Sequence, residues 1–532
     1  MAGDGEEFDI VVVGGGSGGS AAAGRLSEGG KYAVCVIEAG GANTAWQILA
    51  PAMLAQIPKR SNWAYETVPQ KGLNGRRGYQ PRGRGLGGSS AINAMIYIRG
   101  CKWDYDNWAA LGATGWSYDD VLPYFKRAEN NERGGDEFHG SGGPLNVMDQ
   151  KWPNQGSLDW VEAAASLQLP RNADFNGAQF EGVGLYQVTQ KAGERWSAAR
   201  AYVDPAVATG RLAVMTGALV ERIEIENGRA TGVTIHQGWS RKTIRARGAV
   251  ILAGGAFGTP QVLQLSGIGP AAHLQSLGIP VTLDRAAVGS DLQDHVDYIA
   301  AYETGGALFH GMSLKGQWRA IKAIFEWRKT RSGWLTSPFA EAGGFARSAP
   351  DVTVPDLQFH FLPVMIQDHG RTKVKQIGFS CHVCVLRPES RGTVRLASAR
   401  AKDEPLIDPN FLEDPRDMAV LKRGAHLIRR ICEAPPLSGH NGRDRYPGDM
   451  ANDATLEAAI RNRADTIYHP VGTARMGSDD DAVVDPMLKV RGIDGLWIAD
   501  ASVMPRLVSG NTNAPTIMIG ERCADFVRAA LQ

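Results

Sequence analysis

A short apolar run, FDIVVV, leads into GGGSGG, then a small-residue segment, SAAAGRLSEG, and a second apolar run, YAVCVIE. Read by periodicity, residues 8–38 form one β-α-β unit. Within its turn, Gly14, Gly16 and Gly19 make the pattern G-x-G-x-x-G. The first permits a tight turn, the second lets backbone approach a pyrophosphate, and the third lets helix pack on strand. The free N–H groups at the helix start then suit an anion. Glu38 ends the second strand about 20 residues beyond the last glycine, where a carboxylate can accept from ribose hydroxyls. A purely structural glycine turn leaves that acid unexplained. The unit therefore predicts an α/β domain of Rossmann type that holds a dinucleotide.

The rest of the chain narrows this. Its 532 residues suit two or three domains. The 57 Lys and Arg nearly cancel 56 Asp and Glu, which leaves no electrostatic case for a nucleic-acid partner. Glycine, at 65 residues, exceeds the usual ~7% and clusters beside apolar runs, pointing to closely packed backbone. Cys381 and Cys384 look like C-x-x-C but lie in the apolar run IGFSCHVCVL. On a strand that spacing sends the thiols to opposite faces, so no metal or redox pair is expected. The acidic start MAGDGEEFD has no targeting pattern, and no stretch reaches the ~18 apolar residues of a spanning helix. The expectation is a cytoplasmic protein, at most peripheral on the inner face of the cell membrane.

Dinucleotide-type signals recur away from the N-terminus. LWIAD reads as a late strand ending at Asp500. ERIEIENGRATGVTIH reads as a hairpin in which Ile223/Ile225 and Val233/Ile235 alternate around Asn227-Gly228. GAVILAGGAFGTPQVLQLSGIG repeats the order strand, glycine turn, helix. Residues 310–455 carry no such signal, but they hold Trp318, Trp327, Trp334, Phe339, Phe345 and the run FHFLP. This predicts a discontinuous cofactor domain (1–155, 205–309 and 456–532) with a substrate-binding cap of antiparallel sheet and helices (156–204 and 310–455) inserted into it, α+β overall.

Two segments carry a resemblance. RGLGGSSAIN, from Arg84 to Asn93, and GAFGTPQVLQLSGIG, from Gly255 to Gly269, match the two signature patterns of the glucose–methanol–choline (GMC) family of FAD-dependent oxidoreductases. The likeness runs over essentially the whole chain. It implies tightly held FAD, hydride abstraction from an alcohol carbon, and a catalytic His paired with an Asn or second His. By local context the pair is His469, in IYHPVGTARMG, and Asn513, in SGNTNAPTIMIGE. The resemblance also assigns FAD contacts to Gly14, Gly16, Ser17, Gly19, Glu38, Arg84, Gly87, Gly88, Ser89, Asn93, Val220, Asp500, Ala501, Asn513, Ala514 and Pro515. Imidazole, with an ordinary pKa of about 6.5, suits removal of the hydroxyl proton, and an Asn amide can donate to the developing alkoxide. Pro515 suits a helix start whose positive end faces the flavin. His139 and His295 stand at family-like positions and read as structural or near the flavin, and His382 as a strand residue. For Asp500 the bland alternative is an Asx turn at the strand end. Members with covalent flavin often carry a histidine beside the asparagine of the GGSS segment; Ile92 stands there, so the FAD is expected to be non-covalent.

The segments NWAYETVPQKGLNGR, PRGRGLGGSSAINAMIYIRG and FHFLPVMIQDHGR look most similar to bacterial alkanol, polyethylene-glycol and choline dehydrogenase-like members. That implies a primary aliphatic alcohol oxidised to an aldehyde, with a quinone or other acceptor taking the electrons. LKGQWRAIKAIFEWRK puts Leu314, Trp318, Ile321 and Phe325 on one helical stripe among Arg319, Lys322, Arg328 and Lys329. Such a stripe either packs on the core or lines a membrane surface or access channel. An oxygen-using oxidase of aryl or furan alcohols and a flavin-containing hydroxynitrile lyase, both of the same fold, stay open as alternatives. A choline-like substrate is less favoured.

Overall fold

The computed structural model describes residues 6–305, 308–310, 314–372, 374–440 and 442–532, without the side chains of 314, 315 and 317. The N-terminal β-α-β unit forms where the spacing predicts it. Strand β1 (Glu7–Val13) passes through helix α1 (Ser17–Ser27) into strand β2 (Val34–Glu38), with Val12 opposite Val36 in parallel register. Gly14 has φ +101°, and a Cβ there would strike the Ala253 carbonyl. A Cβ at Gly19 would strike the carbonyl of Gly14. Close backbone approach therefore requires both glycines.

Around this unit grows a seven-stranded sheet. Its order runs from Leu212–Thr216 through β2, β1, Ser240–Leu252 and Arg229–Gln237 to Ala218–Glu226, with Leu496–Ile498 also pairing Ser240–Leu252. The strands beside β1 are parallel and covered on both faces, so Ile10–Val13 and Ala249–Leu252 are buried without alternation. The hairpin turns through Asn227 and Gly228, both with positive φ as a two-residue turn requires.

The second sheet has six antiparallel strands, ordered Asp465–Thr466, Val296–Glu303, Gly378–Val385, Leu357–Leu362, Ala342–Ala346, Gly182–Leu185. One face, carrying Phe359, Phe361, Cys381 and Val383, shares a core with Trp160 of helix Gln155–Ser166 and with Leu421 and Ile428 of helix Pro415–Glu433. By the pleat, Asp297, Gln358, His360, His382 and Cys384 occupy the other face, where Cys384 packs with Ile96, Ile98 and Phe345. Cys381 and Cys384 are thus on opposite faces. Two strands of this sheet, Val296–Glu303 and Asp465–Thr466, come from stretches that the sequence reading gave to the cofactor domain. Their pairing, Val296 opposite Thr466, is a long-range partnership that no local pattern announces.

The amphipathic helix forms over Leu314–Thr330, but its stripe does not pack on the core. Trp318, Ile321 and Phe325 are 66%, 45% and 69% exposed, which removes the core-packing alternative. The helix is instead held by Ala323 and Trp327, buried among Trp46, Ala50 and Leu335. The side chain of Leu314, the fourth stripe residue, lies outside the described residues. Among the described residues no helix is long and apolar enough to cross a membrane.

Candidate active site

Helix α1 starts at Gly16 with no side-chain cap and no acidic residue in its first turn, so its first N–H groups stay free. A Cβ at Gly16 would meet nothing nearer than 3.8 Å, so this side of the loop is open. The C-terminal helix, Asn513–Ala530, also begins without a side-chain cap. The Ser17 hydroxyl donates to Asn513 Oδ1 at 2.7 Å, which joins the first turns of the two helices and brings their positive ends together. Ala514 and Pro515 complete that turn, where a proline forfeits no helical hydrogen bond.

Glu38 ties the loops together. Its Oε2 accepts from Gly15 N–H at 2.9 Å, and its Oε1 from Gly40 and Gly85 N–H at 2.8 and 2.9 Å. With about two lone pairs per oxygen, only Oε2 keeps capacity, enough for one hydroxyl. Gly87 and Gly88 both have positive φ, and a Cβ on Gly88 would lie 2.7 Å from Gly16 Cα. Ser89 Oγ accepts from Gly83 N–H at 3.1 Å. Arg84 lies 4.7 Å over the Trp63 ring with its Nε buried and unpartnered. Asn93 Oδ1 accepts from Met95 N–H at 3.0 Å and from Arg195 at 2.8 Å. Asp500 accepts from the N–H groups of Ser502 and Gly255 and from the Thr259 hydroxyl, capping the turn Ala501–Val503 in the Asx manner. Val220 is buried in the sheet opposite Ile235. A glycine cradle facing two uncapped helix starts fits the diphosphate of a dinucleotide such as FAD.

The histidines meet at the seam between the sheets. His295 directly precedes strand Val296–Glu303, and His469 follows Asp465–Thr466, so the pairing of these strands carries both imidazoles to one place. Tyr468, with φ +75°, turns the chain there, and Asp294 accepts from His469 N–H at 2.8 Å and from the Thr466 hydroxyl. His295 Nε2 lies 3.0 Å from the Leu386 carbonyl, which only accepts, so that nitrogen carries the proton. Burial pushes His295 down to about 3, so its imidazole is neutral at pH 7 and its Nδ1 is bare. His469 Nδ1, 3.0 Å away, must therefore donate to it. The bare nitrogen of His469 is then Nε2. Burial first, then the neighbouring His295, His360 and Arg82, holds His469 well below the ordinary histidine value, which keeps it unprotonated.

Asn511 reaches that bare nitrogen, with Nδ2 3.1 Å from His469 Nε2. Its orientation is fixed from behind, where Gln358 Nε2 donates to Asn511 Oδ1 at 3.1 Å. The asparagine against His469 is thus Asn511, and Asn513, expected there from the sequence, has its side-chain oxygen on Ser17. The two residues flank Thr512 in the same turn, too close for sequence context to separate them. Backbone direction into the helix separates them. Asn511, His295 and Gln358 were not singled out for catalysis in the sequence; the alternation of LQFHFL does put Gln358 on the same face as His360.

Elsewhere, His139 lies between Glu129 and Asp174 at 3.1 and 2.9 Å, which raises it to about 9 despite burial and makes it part of a structural ion cluster with Arg99. His382 Nδ1 is 2.6 Å from Asp297 Oδ2. Among the described residues no cluster of His, Cys, Asp and Glu could hold a metal ion.

The chain matches family models of GMC oxidoreductase over residues 8–297 and 388–520. An alcohol dehydrogenase [acceptor] of Pseudomonas putida is 43% identical over 526 residues, covering 98% of this chain and 95% of that protein. An oxygen-dependent choline dehydrogenase of Rhizobium etli is 41% identical over 524 residues, with the same coverage. The crystal structure of pyridoxine 4-oxidase from Mesorbium loti superposes with a TM-score of 0.88 at 30% identity, covering 97% of this chain and 98% of the other.

Proposed function

The chain belongs to the GMC oxidoreductase family, whose cofactor is FAD, and from that premise we propose that it oxidises a primary alcohol to an aldehyde with His469 as the base. The observation that carries this reading is the tautomer chain: His295 leaves His469 no choice but to present Nε2 bare, buried, and beside an amide donor. An alcohol hydroxyl set between Nε2 and Asn511 loses its proton to His469 as the alkoxide oxygen accepts from Asn511. FAD, when bound, supplies the acceptor that takes the carbon-bound hydrogen with its two electrons, leaving the aldehyde. Gly14, Gly16, Ser17 and Gly19 with the start of α1 would hold its diphosphate. Glu38 would take a ribose hydroxyl, and Asn513–Pro515 would hold the ring end. Arg84, Ser89, Asn93, Asp500 and Ala501 belong to the loops that enclose it. Ile92, beside Asn93, offers no nucleophile for a flavin bond at that position, which supports non-covalent attachment. The proton held by His469 has no exit through His295, whose far nitrogen ends on a carbonyl, so it must leave on the pocket side.

Anaerobic addition of primary alcohols should bleach the flavin of the wild type. In His469→Ala, the protein should stay yellow and bleach about 10²–10⁴-fold more slowly, the scale of a positioned acid–base group. Bleaching within a few-fold of wild type removes His469 from the reaction. Failure of any alcohol to bleach the wild-type flavin would favour the lyase alternative.

For the electrons we propose a quinone acceptor reached from a membrane surface. The exposed Trp318, Ile321 and Phe325, with the exposed basic residues Lys322, Arg328 and Lys329 on the same helix, support this, because such a helix suits an anionic lipid surface. Two electrons and two protons then reduce quinone to quinol. Alcohol-reduced enzyme should be reoxidised faster by a soluble ubiquinone analogue than by air-saturated buffer. Faster reoxidation by oxygen with stoichiometric hydrogen peroxide would make it an oxidase.

A further inference from the structure

Arg195 is only 1% exposed, yet every oxygen it touches is neutral. Its Nε donates to the Ile48 carbonyl at 3.0 Å; its Nη1 donates to Asn93 O at 2.6 Å and Asn93 Oδ1 at 2.8 Å, with Ser90 O more distant at 3.4 Å. Its Nη2 has no hydrogen bond among the described residues, and no carboxylate lies within ion-pair reach of it there. Of the buried arginines described, Arg99, equally enclosed, sits 2.6 Å from Glu129, Arg429 pairs with Asp444, and Arg522, itself without a carboxylate, is covered by the rings of Trp116, Tyr124 and Phe526. A buried cation without an anion is costly, and such charges persist where something completes them. Burial alone moves Arg195 down to about 9, so it is still a cation at neutral pH.

Its place in the fold indicates what completes it. Ser90 and Asn93 follow Gly88, which lies against Gly16 of the dinucleotide loop. Beyond Asn93 the chain runs to Ile96 and Ile98, packed with Cys384 on the sheet face that carries Gln358, the support of Asn511. Arg195 is thus bonded to the stretch of chain that links the diphosphate cradle with the sheet face behind Asn511. The diphosphate already has two helix starts. The cations described around His469 are committed elsewhere: Arg82 Nη2 donates to the Tyr468 carbonyl, and Arg387, beside His295, donates to the Ser509 hydroxyl and the Val354 carbonyl.

We propose that Arg195 is an electrostatic positioning residue: it orients Asn93 and supplies the buried positive charge that stabilises the negative charge left on the isoalloxazine by two-electron reduction. This rests on the FAD reading above, and the two fail differently. If that reading is wrong, purified protein carries no flavin that alcohol bleaches. If only the Arg195 assignment is wrong, flavin binds and bleaches, but its potential ignores residue 195.

The test uses FAD-loaded wild type, Arg195→Lys and Arg195→Gln. Midpoint potentials come from dye equilibration, and affinity for sulfite, which forms an anionic flavin adduct, comes from titration. Arg195→Gln should bind sulfite at least tenfold more weakly and have a midpoint lower by at least the two-electron equivalent of tenfold, about 30 mV. Arg195→Lys, which keeps the charge but not the fork, should stay within about threefold of wild type near pH 7. Unchanged sulfite affinity and potential in Arg195→Gln would overturn the proposal. So would equal impairment of both variants, which would mark the guanidinium as a structural brace. If Arg195→Gln does not accumulate with flavin, Arg195→Lys decides, because a buried lysine titrates at lower pH than arginine. Its midpoint should match wild type in acid and fall below it as the pH rises toward 9, above which Arg195 itself loses its charge, and profiles that superimpose from acid up to about pH 9 would refute the assignment.

Discussion

Exchanging Asn511 for alanine separates the two asparagines that flank Thr512. In the resting site, Asn511 gives His469 Nε2 one neutral hydrogen bond of 3.1 Å, worth about 1 kcal/mol net. As the alcohol ionises, the same donor meets a forming alkoxide, and a fixed donor to such a charge is worth about 2.7–4 kcal/mol. Only the difference, about 2–3 kcal/mol, appears in the barrier. That corresponds to a loss of roughly 30- to 150-fold in the limiting rate of flavin reduction. Alcohol binding should change little, since the resting bond is the weaker one. The exchange also takes the acceptor from the buried Gln358 amide, a cost borne by the folded protein before and after the alcohol ionises and so not by the barrier. The assay is anaerobic stopped-flow bleaching over a range of alcohol concentrations, which yields the limiting rate and apparent dissociation constant separately. Asn513→Ala provides the contrast. It strips the acceptor from the Ser17 hydroxyl and should weaken FAD retention before it slows bleaching. If Asn513→Ala carries the rate loss while Asn511→Ala stays within threefold of wild type, the assignment of the alkoxide donor is wrong.

Two further outcomes follow from the same geometry. Because burial first, and then His295, His360 and Arg82, hold His469 well below the ordinary 6.5, it remains a free base as pH falls through that value; the limiting reduction rate should be flat from about pH 9 to pH 6 and fall only in stronger acid, so an inflection at or above 6.5 would contradict the buried-base reading. Acid precipitation should release FAD into the supernatant and leave a colourless pellet, and a flavin adduct in the mass of the denatured chain would overturn the inference from Ile92.

The parts legible in the sequence were those built from neighbours in the chain. The β-α-β unit, the Asn227-Gly228 hairpin and the opposite facing of Cys381 and Cys384 all follow from periods of two or 3.6 and from turn chemistry. His469 could be singled out because the motif around it is contiguous. His295 could not be given its task, because what defines that task is a 3.0 Å contact with an imidazole on a strand far away in sequence. The exposed stripe of the Leu314–Thr330 helix shows a different limit. Its moment has the right period, but the buried side is set by Ala323 and Trp327, and a tryptophan buried against Trp46 outweighs three apolar residues left in the open. Arg195 carries no sequence signal as a lone buried charge, since only the fold reveals that no carboxylate comes near.

The contact between Ser17 and Asn513 also bears on how the protein is made. The first half of the cradle leaves the ribosome almost at once, whereas the helix that closes it is nearly the last segment synthesised. At ~5–20 residues per second the interval is on the order of half a minute to two minutes. Through that time α1, whose Ala21, Ala22 and Ala23 are wholly buried in the finished protein, lacks the Asn513–Ala530 helix whose Ile517 and Met518 share its core. If the proposed cradle holds FAD, its second helix start becomes available only at the end of synthesis, and chains that stop before about residue 513 would leave the face of α1 that Ile517 and Met518 cover without its partner.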